Sequence, residues 1–98
     1  MSVYSIDELR TIIGDVGRQY GVKKIALFGS YSKGVQTPDS DIDLLIDKGA
    51  IKGLFMFNSF IDTLREKLDK DVDVLTYSSL NRSLIKDSVH NEVILYEQ

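Results

Sequence analysis

Two short apolar runs, separated by turn-forming residues, constrain the architecture of this chain more than any other feature. The first run, Lys24–Phe28, ends at the pair Gly29-Ser30, and the second run is Asp41–Ile46. The predicted loop between them, residues 34–40, includes several turn formers and the single proline of the chain. Each run is too short for a core helix but has the length of a buried strand. We therefore predict two strands joined by a loop.

Apolar residues recur at helical spacing in two longer segments. In the first, Ser5 and Glu8 match a capping box, and Gly21 suits the end of a helix. The apolar positions of this helix are Ile6, Leu9, Ile12, Ile13, Val16 and Tyr20. After a connector at residues 47–53, the second predicted helix covers about residues 54–68. Its predicted buried stripe consists of Leu54, Phe57, Ile61, Leu64 and Leu68.

The rest of the chain completes an alternation of strands and helices. Asp71–Thr76 is the third predicted strand, Asn81–Asn91 looks helical, and Val93–Tyr96 is a closing strand. This order predicts a two-layer α/β (α+β) fold with a mixed sheet of about four strands and three helices. At 98 residues, we expect one domain that spans residues 1–98.

Composition excludes several classes of function. The net charge is −3 and the basic residues are scattered, so long nucleic acid is a poor candidate for the main ligand. The chain has no cysteine, which excludes a disulfide framework and a thiolate metal site. No apolar run is long enough to span a membrane, and the first residues do not form a signal peptide. A cytoplasmic protein is the default expectation.

Two aspartates, Asp41 and Asp43, interrupt the second apolar run. Side chains two residues apart on a strand point to the same face, so these carboxylates repel each other unless a cation lies between them. Taken by itself, the pair also fits a charged outer strand face or the start of a strand. A further carboxylate is needed to favour a metal site.

Asp73 supplies that further carboxylate, in the third predicted strand. If this strand lies beside the second, three carboxylates can converge, and oxygen ligands of this kind suit Mg²⁺ shared with substrate phosphates. Asp71 would share the same face and competes for this role. We prefer Asp73 because it lies deeper in the apolar run.

The pair Gly29-Ser30 could bind the phosphates. A glycine at a strand end allows the backbone to approach a phosphate closely. If a short helical turn begins at Ser30, its N–H groups form an anion site, and Lys33 could reach the same anion. By itself, such a pair is usually an ordinary turn.

The ordered set of these features resembles the DNA polymerase beta superfamily of nucleotidyltransferases. The match is to its minimal bacterial and archaeal members, which are often paired with a HEPN-domain partner. The resemblance covers nearly the whole chain, through the leading helix, "IALFGSYSKG", "TPDSDIDLLID", "VDVLT" and "EVILYE". It implies the two-layer nucleotidyltransferase fold of that family.

The resemblance also implies roles for single residues. In that family the Gly-Ser turn holds the phosphates of ATP or another nucleoside triphosphate, and three carboxylates bind Mg²⁺, with two ions when the nucleotide is bound. Carried over, the phosphate-binding residues are Gly29 and Ser30, and the catalytic and metal-binding residues are Asp41, Asp43 and Asp73. Lys33 stands where the family often has arginine; lysine keeps the charge but loses the two-pronged contact with phosphate.

Three functions remain open at this stage. The first is an enzyme that transfers a nucleoside monophosphate to a hydroxyl and releases pyrophosphate. For it, the resemblance implies AMP from ATP, a partner protein as acceptor, and an antitoxin role toward a HEPN-domain toxin. The second is an antitoxin or assembly subunit with weak or no catalysis. The third is a catalytic subunit that acts on RNA or a small molecule.

The second predicted helix is more apolar than one buried stripe requires. Phe55, Met56 and Phe60 lie beside the stripe, and we expect Phe55 and Met56 to point partly outward. Such residues are enriched at protein interfaces. They indicate either a docking surface for a partner or second copy, or a deeply packed helix.

Overall fold

The computed structural model describes residues 4–28, 41–77 and 93–98. Its elements are α1 (Ile6–Tyr20), β1 (Lys24–Phe28), β2 (Ile42–Asp47), α2 (Gly53–Leu68), β3 (Val72–Thr76) and β4 (Val93–Glu97). All six elements were predicted, with ends that differ by one residue at most. The third predicted helix, residues 81–91, lies outside the described residues.

The four strands form one mixed sheet in the order β3-β2-β1-β4. β1 pairs antiparallel with both β2 and β4, whereas β2 and β3 pair in parallel. Parallel neighbours need a crossover connection, and α2 provides it. This arrangement confirms the predicted mixed sheet with helices, and it brings the starts of β2 and β3 to the same end of the sheet.

Local sequence explains the limits of α1. The hydroxyl of Ser5 accepts a hydrogen bond from the Glu8 N–H at 3.1 Å, and the Ser5 N–H donates to the Glu8 carboxylate at 3.0 Å. Gly21 ends the helix with φ +72°, a conformation that favours glycine. The predicted capping box and helix end are therefore confirmed.

Both helices pack on one face of the sheet. From β2, the side chains of Ile42, Leu44 and Ile46 enter this core. Tyr20 joins the two helices: its ring meets Phe60 edge to face at 5.5 Å between centroids. Its hydroxyl also bonds to hydroxyl groups of α2 at 3.0 and 2.9 Å. The residues that alternate with Ile42, Leu44 and Ile46 along β2 point to the opposite face of the sheet.

The predicted stripe of α2 is wrong at one end. Leu54 is 77% exposed, and the fully buried residues of this helix are Phe60, Leu64 and Leu68. At about 100° per residue, Leu54 lies about 80° from Leu64, at the margin of the buried face in the first turn. Phe55 is 89% exposed, as predicted, whereas Met56 packs partly against the core.

Within the described residues, no helix has the length and apolar character needed to cross a membrane.

Candidate active site

The pairing of β2 with β3 brings two of the predicted carboxylates together. Asp43 and Asp73 are direct partners in the parallel register. Paired residues on neighbouring strands lie about 4.8 Å apart and point to the same face. A shared carboxylate site requires these two strands to be neighbours, and they are.

These carboxylates lie on the face of the sheet opposite to α1 and α2. Ile42 and Leu44 point into the core, so Asp43 between them points the opposite way. Asp43 is half-buried, while Asp41 and Asp73 are exposed. The group lies where β2 and β3 begin and β1 ends.

The pKa of the Asp43 carboxyl reflects its burial and the two neighbouring carboxylates. Burial raises the pKa of the Asp43 carboxyl above its ordinary value, and the charges of Asp73 and Asp41 raise it further. A hydrogen bond with Asp73 acts in the same direction. All four effects favour the neutral form of Asp43, whereas a bound cation would favour the charged form.

The donor chemistry of this group fits Mg²⁺. The side chains offer carboxylate oxygens only, and Mg²⁺ is typically held by one or two carboxylates, with water and substrate phosphate completing the shell. Among the described residues, no three acidic, histidine or cysteine side chains already enclose a metal position. Asp43 and Asp73 are thus a close pair with Asp41 near it, rather than a closed three-ligand site.

Asp71 occupies a different place from Asp73. It immediately precedes β3, its side chain is exposed, and its carbonyl accepts a hydrogen bond from the Ile42 N–H at 3.1 Å. The carboxylates that raise the pKa of Asp43 are those of Asp73 and Asp41. This geometry favours Asp73 over Asp71 as the third carboxylate.

The predicted phosphate-binding residues Gly29, Ser30 and Lys33 lie outside the described residues. β1 ends at Phe28, and Phe28 is the register partner of Asp43. Gly29 is the next residue in the sequence. The chain therefore leaves β1 beside the carboxylates, as a phosphate-binding turn at this position would require.

The other end of β2 and β3 contains features that the sequence did not reveal. A cavity of about 370 Å³ is lined by Lys48, Gly53, Leu54, Phe57, Val74, Leu75 and Thr76. Leu75, which lines it, is 42% exposed although it lies within a strand. The alternation of side chains along β3 could have identified the exposure of Leu75, since Leu75 lies two residues from Asp73 and shares its face.

Known proteins share both the sequence pattern and the fold. A family model of the nucleotidyltransferase domain matches residues 9–96. This chain belongs to the nucleotidyltransferase domain family. As a minimal nucleotidyltransferase it is an enzyme, and the predicted resemblance is confirmed.

Two archaeal relatives are similar to this minimal nucleotidyltransferase over nearly its whole length. One, from Methanocaldococcus jannaschii, is named as a candidate protein adenylyltransferase. It is 39% identical over 90 residues, which cover 92% of this chain and 96% of the relative. The other, the protein adenylyltransferase MntA of Thermococcus cleftensis, is 32% identical over 98 residues, which cover 96% and 98%.

Solved structures show the same fold. A crystal structure described as a toxin-antitoxin with AMP-PNP has a TM-score of 0.76 and 27% identity, covering 91% of this chain and 73% of that chain. A candidate minimal nucleotidyltransferase has a TM-score of 0.78, covering 95% of this chain and 98% of that chain. Its identity is 22%, so this second likeness concerns the fold alone.

Proposed function

We propose that this nucleotidyltransferase transfers AMP from ATP to a hydroxyl group of a partner protein, in a reaction that requires Mg²⁺. The observation that carries the proposal is the register pair Asp43–Asp73, with Asp41 near it, on the face of the sheet opposite to α1 and α2. The names of the two archaeal relatives support a protein as the acceptor. The likeness to the structure with AMP-PNP supports an adenine nucleotide as the donor.

The proposed roles follow from the positions of the side chains. Asp41, Asp43 and Asp73 would hold Mg²⁺, which would supply charge stabilisation at the α-phosphate and lower the pKa of the acceptor hydroxyl. Gly29 and Ser30, followed by Lys33, bind the triphosphate; these roles rest on the resemblance. The acceptor oxygen forms a bond to the α-phosphorus, and the bond to the β-phosphate breaks. Pyrophosphate leaves with the electron pair.

Asp73 is the proposed acceptor of the proton in this reaction. It is exposed, so a hydroxyl of a second protein can reach it, and it lies in the outermost described strand of the sheet. Asp43 is less suited because its carboxylate is half-buried and therefore less accessible to a hydroxyl of a second protein. A carboxylate at hydrogen-bond distance from the attacking hydroxyl is the geometry that general-base catalysis requires.

The partner that we propose is a HEPN-domain toxin, which the modification would silence. The HEPN assignment rests on the family resemblance, and the toxin-antitoxin structure at 27% identity supports a toxin-antitoxin pair. The minimal nucleotidyltransferase would then act as the antitoxin of the pair. The negative net charge and the absence of cysteine are compatible with a protein acceptor but do not select it.

Label transfer tests this proposal. The purified protein is incubated with Mg²⁺ and an extract of its source organism, once with ATP labelled at the α-phosphate and once at the γ-phosphate. We expect a labelled protein with the α-label only, and an added AMP on a hydroxyl side chain by mass spectrometry. Label from the γ-phosphate, or equal labelling by Asp43→Asn, would overturn the proposal.

A further inference from the structure

The exposed large apolar residues of the described chain all lie in one region. They are Leu54 at 77%, Phe55 at 89% and Leu75 at 42% exposure. Leu54 and Phe55 are in the first turn of α2, and Leu75 is near the end of β3. Leu54 and Leu75 line the same 370 Å³ cavity. We call Leu54, Phe55 and Leu75 the edge patch; exposed apolar residues grouped in this way are typical of interaction surfaces.

The edge patch is continuous with the candidate active site. β3 is the outermost strand on its side of the described sheet. Leu75 and Asp73 lie two residues apart on the same face, about 7 Å along the strand. Leu54 reaches the same cavity from the side of the helices. A protein bound on this patch would therefore lie next to the carboxylate that we propose as the proton acceptor.

The edge patch is bordered by positive charge on the side of the N-terminus of α2, whereas Asp47 and Asp73 are exposed along β2 and β3. Lys48 and Lys52 are exposed, and neither forms an ion pair with another described residue. The first turn of α2 contains no acidic residue, and its N-cap position, Lys52, makes no side-chain capping bond. The positive end of the helix dipole thus adds to the two lysine charges. An apolar centre with this rim favours a partner that carries apolar side chains flanked by carboxylates.

A second copy of the chain fits this surface less well. In a symmetric pair the same patch meets itself, so the positive charges of Lys48, Lys52 and the N-terminus of α2 would lie on both sides of one interface. Like charges placed together across an interface disfavour association. The charge pattern therefore selects a different protein as the occupant.

We propose that the edge patch docks an acidic amphipathic helix of the acceptor protein and so places the acceptor hydroxyl near Asp73. The proposal rests on the proposed function for the identity of the acceptor, but the binding step can be measured without nucleotide. An amphipathic helix presents apolar anchors at positions i, i+3, i+4 and i+7 on one face, which is how such helices bind apolar grooves.

The test uses a designed peptide as the probe. A fluorescent amphipathic helix of about 18 residues carries a leucine stripe flanked by glutamates, and a control peptide has lysines in their place. Anisotropy measures binding to the full chain, and backbone amide shifts locate the site. We expect the acidic peptide to bind at the edge patch, and the lysine peptide to bind at least about tenfold more weakly.

Three variants make the test specific. Phe55→Ser removes an exposed anchor, and Lys52→Glu reverses a rim charge at a position where glutamate favours the helix N-terminus; each should weaken acidic-peptide binding by about tenfold or more. Lys67→Glu makes the same charge change at the other end of α2 and should leave binding unchanged. Melting curves check that all three variants fold.

Three outcomes would overturn the proposal. They are equal binding of the two peptides, unchanged binding by both Phe55→Ser and Lys52→Glu, or wild-type dimers in sedimentation that Phe55→Ser dissociates. Asp43→Asn separates this proposal from the proposed function, since it should bind the peptide normally while losing AMP transfer. Peptide binding without any AMP transfer by the wild type would contradict the proposed function alone.

Discussion

The carboxylate of Asp43 lies half-buried between two other acidic side chains, and its environment favours the neutral form. Without a cation, the folded protein binds the Asp43 proton more tightly than the unfolded chain does. The free energy of unfolding therefore falls as the pH rises from the ordinary pKa of 3.8 through the raised value of the folded state. This cost is present at neutral pH, and a bound cation would offset it.

Asp43→Asn tests this balance. The amide keeps the size of the side chain and removes the charge, so in metal-free buffer at pH 7 we expect a higher melting temperature than for the wild type. The decrease in stability with rising pH should also become smaller. Adding Mg²⁺ should raise the melting temperature of the wild type more than that of the variant. A lower melting temperature for Asp43→Asn in metal-free buffer would contradict the electrostatic account.

Ser30→Ala tests the proposed phosphate-binding turn. A hydrogen bond to a charged group contributes roughly 1.5–3 kcal/mol, so we expect triphosphate affinity to fall by about one to two orders of magnitude. Calorimetric titration with a non-hydrolysable ATP analogue measures this loss, and a melting curve verifies folding. Unchanged affinity would return Gly29-Ser30 to the status of an ordinary turn.

Among the secondary-structure elements, α1 shows how closely a helix is fitted to the sheet. A Cβ added at Gly17 would lie 2.7 Å from Cδ1 of Ile25 and 3.1 Å from the ring of Tyr96. Ile25 is fully buried, so its methyl group has little room to move. At Gly14, one turn earlier, the nearest atom of Tyr96 would be 3.8 Å away, an ordinary contact.

These two glycines make a matched pair of variants. Gly14→Ala should stabilise the protein by up to about 1 kcal/mol, because alanine is the better helix former. Gly17→Ala gains the same propensity but overpacks the core, which typically costs about 1–3 kcal/mol, so it should be the less stable of the two. Urea unfolding measures both. Equal stability would mean that the helix and sheet can separate more easily than the contact distances indicate.

The elements that the sequence predicted best are those with local signals. The capping box at Ser5 and the glycine at position 21 specify α1 without reference to the rest of the chain. Leu54 was misplaced because helical spacing indicates which residues share a face but not where the neighbouring sheet ends. Its burial depends on the position of β3, which no residue near Leu54 encodes.

For the whole molecule, the decisive information is which strands are neighbours. The aspartates could be identified from the sequence as an unusual set, but the pairing of Asp43 with Asp73 depends on a parallel register across a 16-residue helix. Long-range pairing of this kind has no local signal. Phe55 of the edge patch was identified from the sequence, but Leu54 and Leu75 were not, since they line one cavity only because α2 packs beside β3.

The central claim is that nucleotide binding with Mg²⁺ depends on the carboxylates where β2 and β3 begin. Asp47 provides a matched control, because it lies on the same strand and face as Asp43, about 13 Å away. The most direct test is calorimetric titration of each Asn variant with the ATP analogue, in Mg²⁺ and in EDTA. We predict that Asp43→Asn and Asp73→Asn lose the Mg²⁺-dependent binding, whereas Asp47→Asn and Asp71→Asn keep it. Retained binding by Asp43→Asn, or a loss by Asp71→Asn with Asp73→Asn unaffected, would contradict the assignment of the site.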